Sequence, residues 1–157
     1  MEWLSHILLT NLVFKELPME NRWWAIFFGV APDIFSFFGI YRLEFLKKML
    51  FFKKIPSAFI PKWVILTYNI AHSLPLWLVI FLTLWFTGYH LPAIVFCGWA
   101  FHIVLDFFSH NPQSVTYTKV FWPISDWHYH SFSWSNKKFL IVEYAIIALL
   151  YWIFYFN

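Results

Sequence analysis

Charge is the first thing this chain lacks. Only 12% of its 157 residues are Asp, Glu, Lys or Arg, against the quarter or so usual in soluble domains. Hydrophobic residues make up 61% and aromatic residues 25%, with 21 Phe and 11 Trp, more rings than one soluble core of this length needs. Mean hydropathy is +0.62. A soluble globular domain is thereby excluded, and the expectation is one membrane-embedded domain over 1–157. Cysteine is nearly absent too. Cys97 stands alone in an apolar run, so neither a disulfide framework nor a Cys-based zinc motif is available, and it reads as a small buried hydrophobe. The first residues lack the basic stretch and small-residue cleavage site of a signal peptide, so they are expected to remain in the mature protein. No internal repeat or low-complexity tract is found.

The few charges are unevenly placed. Arg42, Lys47, Lys48, Lys53, Lys54 and Lys62 are six of the 11 basic residues and lie within 41–62. With apolar residues between them they read as a basic amphipathic helix on an anionic membrane face, assigned to the cytoplasmic side. Nucleic acid is not expected as a partner, despite a pI near 9.0. Membrane lipids are.

The fold expected is all-α, a polytopic helical bundle of about four spans plus an N-terminal interfacial or tucked-in helix. Residues 3–16 carry apolar groups at helical spacing but are too short and polar to span. Asn21 is placed to cap the next helix. Residues 23–40 are apolar enough to enter the bilayer but are interrupted by Gly29 and Ala31-Pro32-Asp33, so two half-helices are predicted, with Asp33 capping the second. Residues 63–87 and 89–109 are read as single spans joined by a short turn at Gly88 and His90, hence antiparallel neighbours. Residues 110–138, with Trp122-Pro123 and Asp126-Trp127-His128-Tyr129-His130, fit an aromatic loop at the lipid headgroups. Residues 139–156 form the last span, carrying Glu143.

The chemistry gathers in Phe101-His102-Ile103-Val104-Leu105-Asp106-Phe107-Phe108-Ser109-His110. Positions four apart share a helix face, so His102 and Asp106 can address one small object. An ionisable pair in hydrocarbon costs several kcal/mol unless compensated, and a divalent cation compensates it. Measured from the basic face, His72 lies about 15 Å deep and Asp33 about 10 Å; the returning hairpin puts His102 at about 10 Å and Asp106 at about 5 Å. Glu143 sits near the same face. Asp33, His72, His102 and Asp106 therefore form the expected metal and catalytic set, with His6 and His110 as additional ligands. His128 and His130 are read as solvated, Glu143 as pairing with Lys137 or Lys138, and His90 as unrelated. A nitrogen and oxygen donor set without sulfur suits a first-row divalent ion, with zinc expected, and a metal-activated water would be the nucleophile.

Taken in order, His6, Gly29-Val30-Ala31-Pro32-Asp33, Ala71-His72-Ser73-Leu74, the His102-to-His110 run and Trp122-Pro123-Ile124-Ser125 resemble a family. It comprises small bacterial membrane-bound metal-dependent hydrolases described as LexA-binding and inner-membrane-associated. The likeness runs from His6 to about Trp134 and implies a multi-pass protein of the inner membrane. That family typically carries a further Asp, and often a His, after Pro-Asp; here the continuation is Ile34-Phe35-Ser36. The motif order is also distantly similar to zinc-dependent phospholipase C, which implies one to three ions and a phosphoester or other ester of a lipid-like substrate. Other readings remain open: a haem-binding or metal-transporting membrane protein, or a non-catalytic membrane interaction partner. Oligomeric state is not indicated.

Overall fold

The computed structural model describes residues 3–37, 61–109, 117–129 and 136–156. Six helices and no strands occur among them: α1 (Trp3–Val13), α2 (Met19–Phe37), α3 (Lys62–Ala71), α4 (Leu74–Phe86), α5 (His90–Ser109) and α6 (Lys137–Phe156). The expected basic helix over 41–62 lies outside the described residues except for its end, where Lys62 opens α3.

Among the described residues two helices, α5 and α6, are long and apolar enough to cross a membrane, and a third span results if α3 and α4 count as one. That is fewer than the four expected. The difference lies mainly in α2, whose 19 residues include Glu20, Arg22 and Asp33, too many charges for an uninterrupted span.

Three local expectations are corrected. Helix α2 starts at Met19, so Asn21 lies inside it rather than capping it. It also runs unbroken through Pro32, so Asp33 belongs to a helix interior and caps nothing. Pro32 returns no hydrogen bond to the Phe28 carbonyl, but the packing of α2 on α1, α3 and α5 outweighs the loss of one bond. The segment 63–87, in contrast, is not one helix. It bends by 48° at a break between Ala71 and Leu74. Ser73 caps α4, its Oγ accepting from the Leu76 amide at 3.2 Å, and Pro75 follows in the first turn. That pairing is a helix start signal.

Helix α5 is the centre of the bundle. It packs on α2, α4 and α1, while α2 also meets α1 and α3. Its approach to α2 is very close: a Cβ at Gly98 would overlap the Ala25 carbonyl, and one at Gly29 would overlap Thr10. Small residues here let backbones touch where larger ones would hold the helices apart. Gly88, at φ 88°, adopts the left-handed conformation that ends α4 and reverses the chain into α5. The hairpin expected around Gly88 is thus present.

Outward, the helices are apolar. Helix α4 buries none of its residues, and α6 exposes Ile141, Val142, Ile146, Leu149 and Trp152. Inward, the surfaces are polar: Ser5, His6, Thr10, Asp33, Ser36, His72, His102, Asp106 and Ser109 are all buried. An apolar exterior around a polar centre is the reverse of a soluble domain and suits a lipid surround.

Candidate metal centre

The bend at Ala71–Leu74 puts His72 at the inner corner of the bundle. His72 Nδ1 donates to the Tyr68 carbonyl at 2.9 Å, and the Tyr68 ring stacks on its imidazole at 3.9 Å. The corner is stitched from outside by residues 117–125. Tyr68 Oη and Thr118 Oγ1 are 3.0 Å apart, the Leu74 amide donates to the Val120 carbonyl at 2.9 Å, and Ser73 Oγ donates to the Trp122 carbonyl. Trp99 of α5 satisfies the Ala71 carbonyl at 2.7 Å. The Ala71 carbonyl and the Leu74 amide, both left over by the break, therefore have partners, as burial requires.

Opposite His72 stands His102. Its Nδ1 donates to the Gly29 carbonyl at 2.8 Å, a contact the close α2–α5 approach permits. With both Nδ1 atoms committed as donors to carbonyls, both Nε2 atoms present lone pairs. These two nitrogens are 3.2 Å apart. Asp106 Oδ2 lies 3.3 Å from each, and Asp33 Oδ1 lies 3.8 Å from His72 Nε2 and 3.7 Å from His102 Nε2. The four ligand atoms sit within 4.8 Å of one another, and all four residues are buried.

This group can hold a metal ion. Four acceptors turned toward one point repel each other in a dry interior unless a cation lies between them. The spacing suits a small one. Donors about 2.0–2.1 Å from a tetrahedral ion stand about 3.3–3.4 Å from each other, which matches the triangle of His72, His102 and Asp106. Asp33 stands slightly further out. Each imidazole is also oriented by a backbone carbonyl on its other nitrogen, an arrangement typical of metal-ligating histidines.

His6 approaches from α1. Its Nε2 is 3.1 Å from Asp106 Oδ1, and its ring stacks on His102 at 3.9 Å. Burial, and then the neighbouring His102, push its pKa down to about 3, so it stays neutral and its Nε2–H donates to the carboxylate. Asp106 thus directs one oxygen at the two histidine lone pairs and the other at His6. The structure places His6 beside the four-residue group rather than within it.

The remaining expectations divide. His110 and His130 lie outside the described residues. Glu143 is buried on α6 but does not belong to the four-residue group. His128 is half-buried rather than freely solvated, its Nδ1 3.2 Å from the Asp126 carbonyl and its ring 4.4 Å from that of Tyr117. His90 opens α5 and lies against the Trp85 ring at the far end of the hairpin. Tyr68 and Gly29, which fix the two histidines, are absent from the sequence-based set. Tyr68 is four residues before His72, on the same helix face, and that spacing is the one sign of it.

No protein-family model, curated protein or solved structure matches this chain. The reading of the site therefore rests on its own residues.

Proposed function

We propose that the protein is a membrane-embedded, metal-dependent hydrolase that cleaves a phosphoester or related ester of a lipid-like molecule. One observation carries the reading: two imidazole lone pairs and a carboxylate oxygen converge at 3.2–3.3 Å in a fully buried setting. Two histidines and one carboxylate with a position left over is the donor set of a catalytic rather than a structural ion.

In this reading His72, His102 and Asp106 hold a divalent ion, with zinc favoured by the short spacing. The ion supplies Lewis acidity, which polarises an ester oxygen and lowers the pKa of a water. Asp33 has a different task. Its side chain keeps 8% exposure while those of the other three have none, so the opening of the site is on its side. There it is placed to orient the attacking water and take its proton. His6 fixes the orientation of Asp106. A lipid-like substrate follows from the surroundings, since the outer faces of the helices are apolar and a molecule dissolved in the bilayer meets the site first. Cleavage of a phosphoester by such a group is also what the motif resemblance implies. A haem between His72 and His102 fits poorly: two iron–nitrogen bonds of about 2 Å on opposite sides of the metal need about 4 Å between the nitrogens, and these stand at 3.2 Å.

The test pairs metal content with turnover. Protein purified in detergent without chelator should carry about one zinc or manganese per chain, lost in a His102→Ala/Asp106→Ala variant. Asp33→Asn should keep the metal and lose hydrolysis of a phospholipid panel. Wild-type protein that stays folded but takes up no added divalent ion would sink the reading.

A further inference from the structure

Residues 117–129 do more than stitch the helix break. Their far end carries a cluster of rings with one charge of each sign. Lys119 Nζ and Asp126 Oδ1 are 2.7 Å apart, and Lys119 also lies 5.4 Å above the Tyr117 ring. Asp126, Trp127, His128 and Tyr129 line an open cavity of about 490 Å³. Trp127 and Tyr129 are about half exposed, yet they are not loose. Phe107, in the last turn of α5, packs on Trp127 at 5.4 Å and on Tyr129 at 5.6 Å. Phe121 also packs on Trp127, at 5.8 Å.

Position narrows what such a cavity meets. Helix α5 is apolar enough to cross a membrane and ends at Ser109, so rings seated on Phe107 and Phe108 lie at the level where hydrocarbon gives way to headgroups. Charge narrows it further. An anionic headgroup would meet Lys119 favourably and Asp126 unfavourably. A zwitterionic headgroup satisfies both, with its phosphate on the lysine and its ammonium on the carboxylate and the ring faces. Aromatic faces beside a carboxylate attract alkylammonium groups. The existing ion pair is no obstacle, because Asp126 is 77% exposed and exposed pairs contribute little.

We propose that the Lys119–Asp126 pair and the Trp127–Tyr129 cavity bind the headgroup of a zwitterionic phospholipid drawn from the bilayer. The site needs neither the metal nor catalysis. It would hold the protein at a set depth and enrich one lipid class beside the helix break that carries His72.

Native mass spectrometry of the full chain in maltoside detergent tests this, comparing phosphatidylethanolamine with phosphatidylglycerol of the same acyl chains. The wild type should bind the ethanolamine lipid about five- to tenfold more tightly. Asp126→Asn and Trp127→Ala should each bring the two lipids to parity, while Lys119→Gln should weaken both. All should do so equally in the His102→Ala/Asp106→Ala background. Equal or tighter binding of phosphatidylglycerol by the wild type overturns the proposal, as does a preference that survives Asp126→Asn. The wild-type comparison stands even if a variant fails to fold.

Discussion

His72 and His102 point their Nε2 atoms at each other across 3.2 Å, and each is fixed in that pose by a backbone carbonyl on its other ring nitrogen. The pair cannot share a proton without surrendering one of those carbonyl bonds or becoming charged. A cation between them removes the conflict, and several predictions rest on this geometry.

Removing the metal should cost stability. A ligand present at a hundred times its Kd stabilises the folded state by about 2.7 kcal/mol. Dialysis against a strong chelator should therefore lower the thermal midpoint in detergent by several degrees, and adding back zinc should restore it. A midpoint indifferent to chelator and zinc would count against any bound ion.

His6 should tune the site without being required for it. It touches Asp106 through the oxygen that faces away from His72 and His102. Loss of an outer partner of a metal ligand typically costs about 10–100-fold in affinity. His6→Ala should thus weaken metal binding by about that factor in a competition titration, leaving the saturated stoichiometry as in the wild type. His102→Ala should abolish binding altogether.

Gly98 lies several residues from the nearest ligand, yet its replacement should reach the site. An alanine methyl would overlap the Ala25 carbonyl and push α2 away from α5. Overpacking of this kind costs about 1–3 kcal/mol. The displaced helix carries both Gly29, which orients His102, and Asp33. Gly98→Ala should lower both the thermal midpoint and the metal affinity, whereas Gly88→Ala, which meets no atom within 4 Å, should affect stability alone.

Ser73 holds the bend from two sides, capping α4 and donating to the Trp122 carbonyl. Ser73→Ala should cost about 1 kcal/mol for the lost cap and more for the orphaned carbonyl. Limited proteolysis should then cut sooner within 117–129, because that segment loses one of its three ties to the break.

His102 and Asp106 could be read from the sequence, since a spacing of four on an apolar helix puts two side chains on one face whatever surrounds them. Asp33 and His72 could be read as well, because a buried charge in a chain this apolar has few other destinations. The bundle was less legible. Pro32 looked like a breaker, and only packing on both sides of α2 explains why it is not. The real break, at Ser73-Leu74-Pro75, carries an ordinary N-cap signal masked by the hydrophobicity on both sides of it. Glu20, Arg22 and Asp33 take α2 out of the candidate spans. Gly29 and Tyr68 are harder to read for a different reason: each orients a histidine through its backbone carbonyl, which leaves no mark in a sequence, and only the spacing of the Tyr68 ring from His72 hints at its part.

The residues of the candidate metal centre come from separate pieces of chain: Asp33 on α2, His72 at the end of α3, His102 and Asp106 on α5, with His6 on α1. Chains of this kind enter the bilayer in order of synthesis, and an ionisable side chain in a membrane-crossing helix is costly until it is paired. Helix α5 arrives last of these, bearing both a histidine and a carboxylate, and finds relief only in partners already waiting. The order of the ligands along the chain is therefore also an order of assembly. If the proposed site holds its ion, scarcity of that metal should lower the amount of inserted protein before it lowers the activity of each copy.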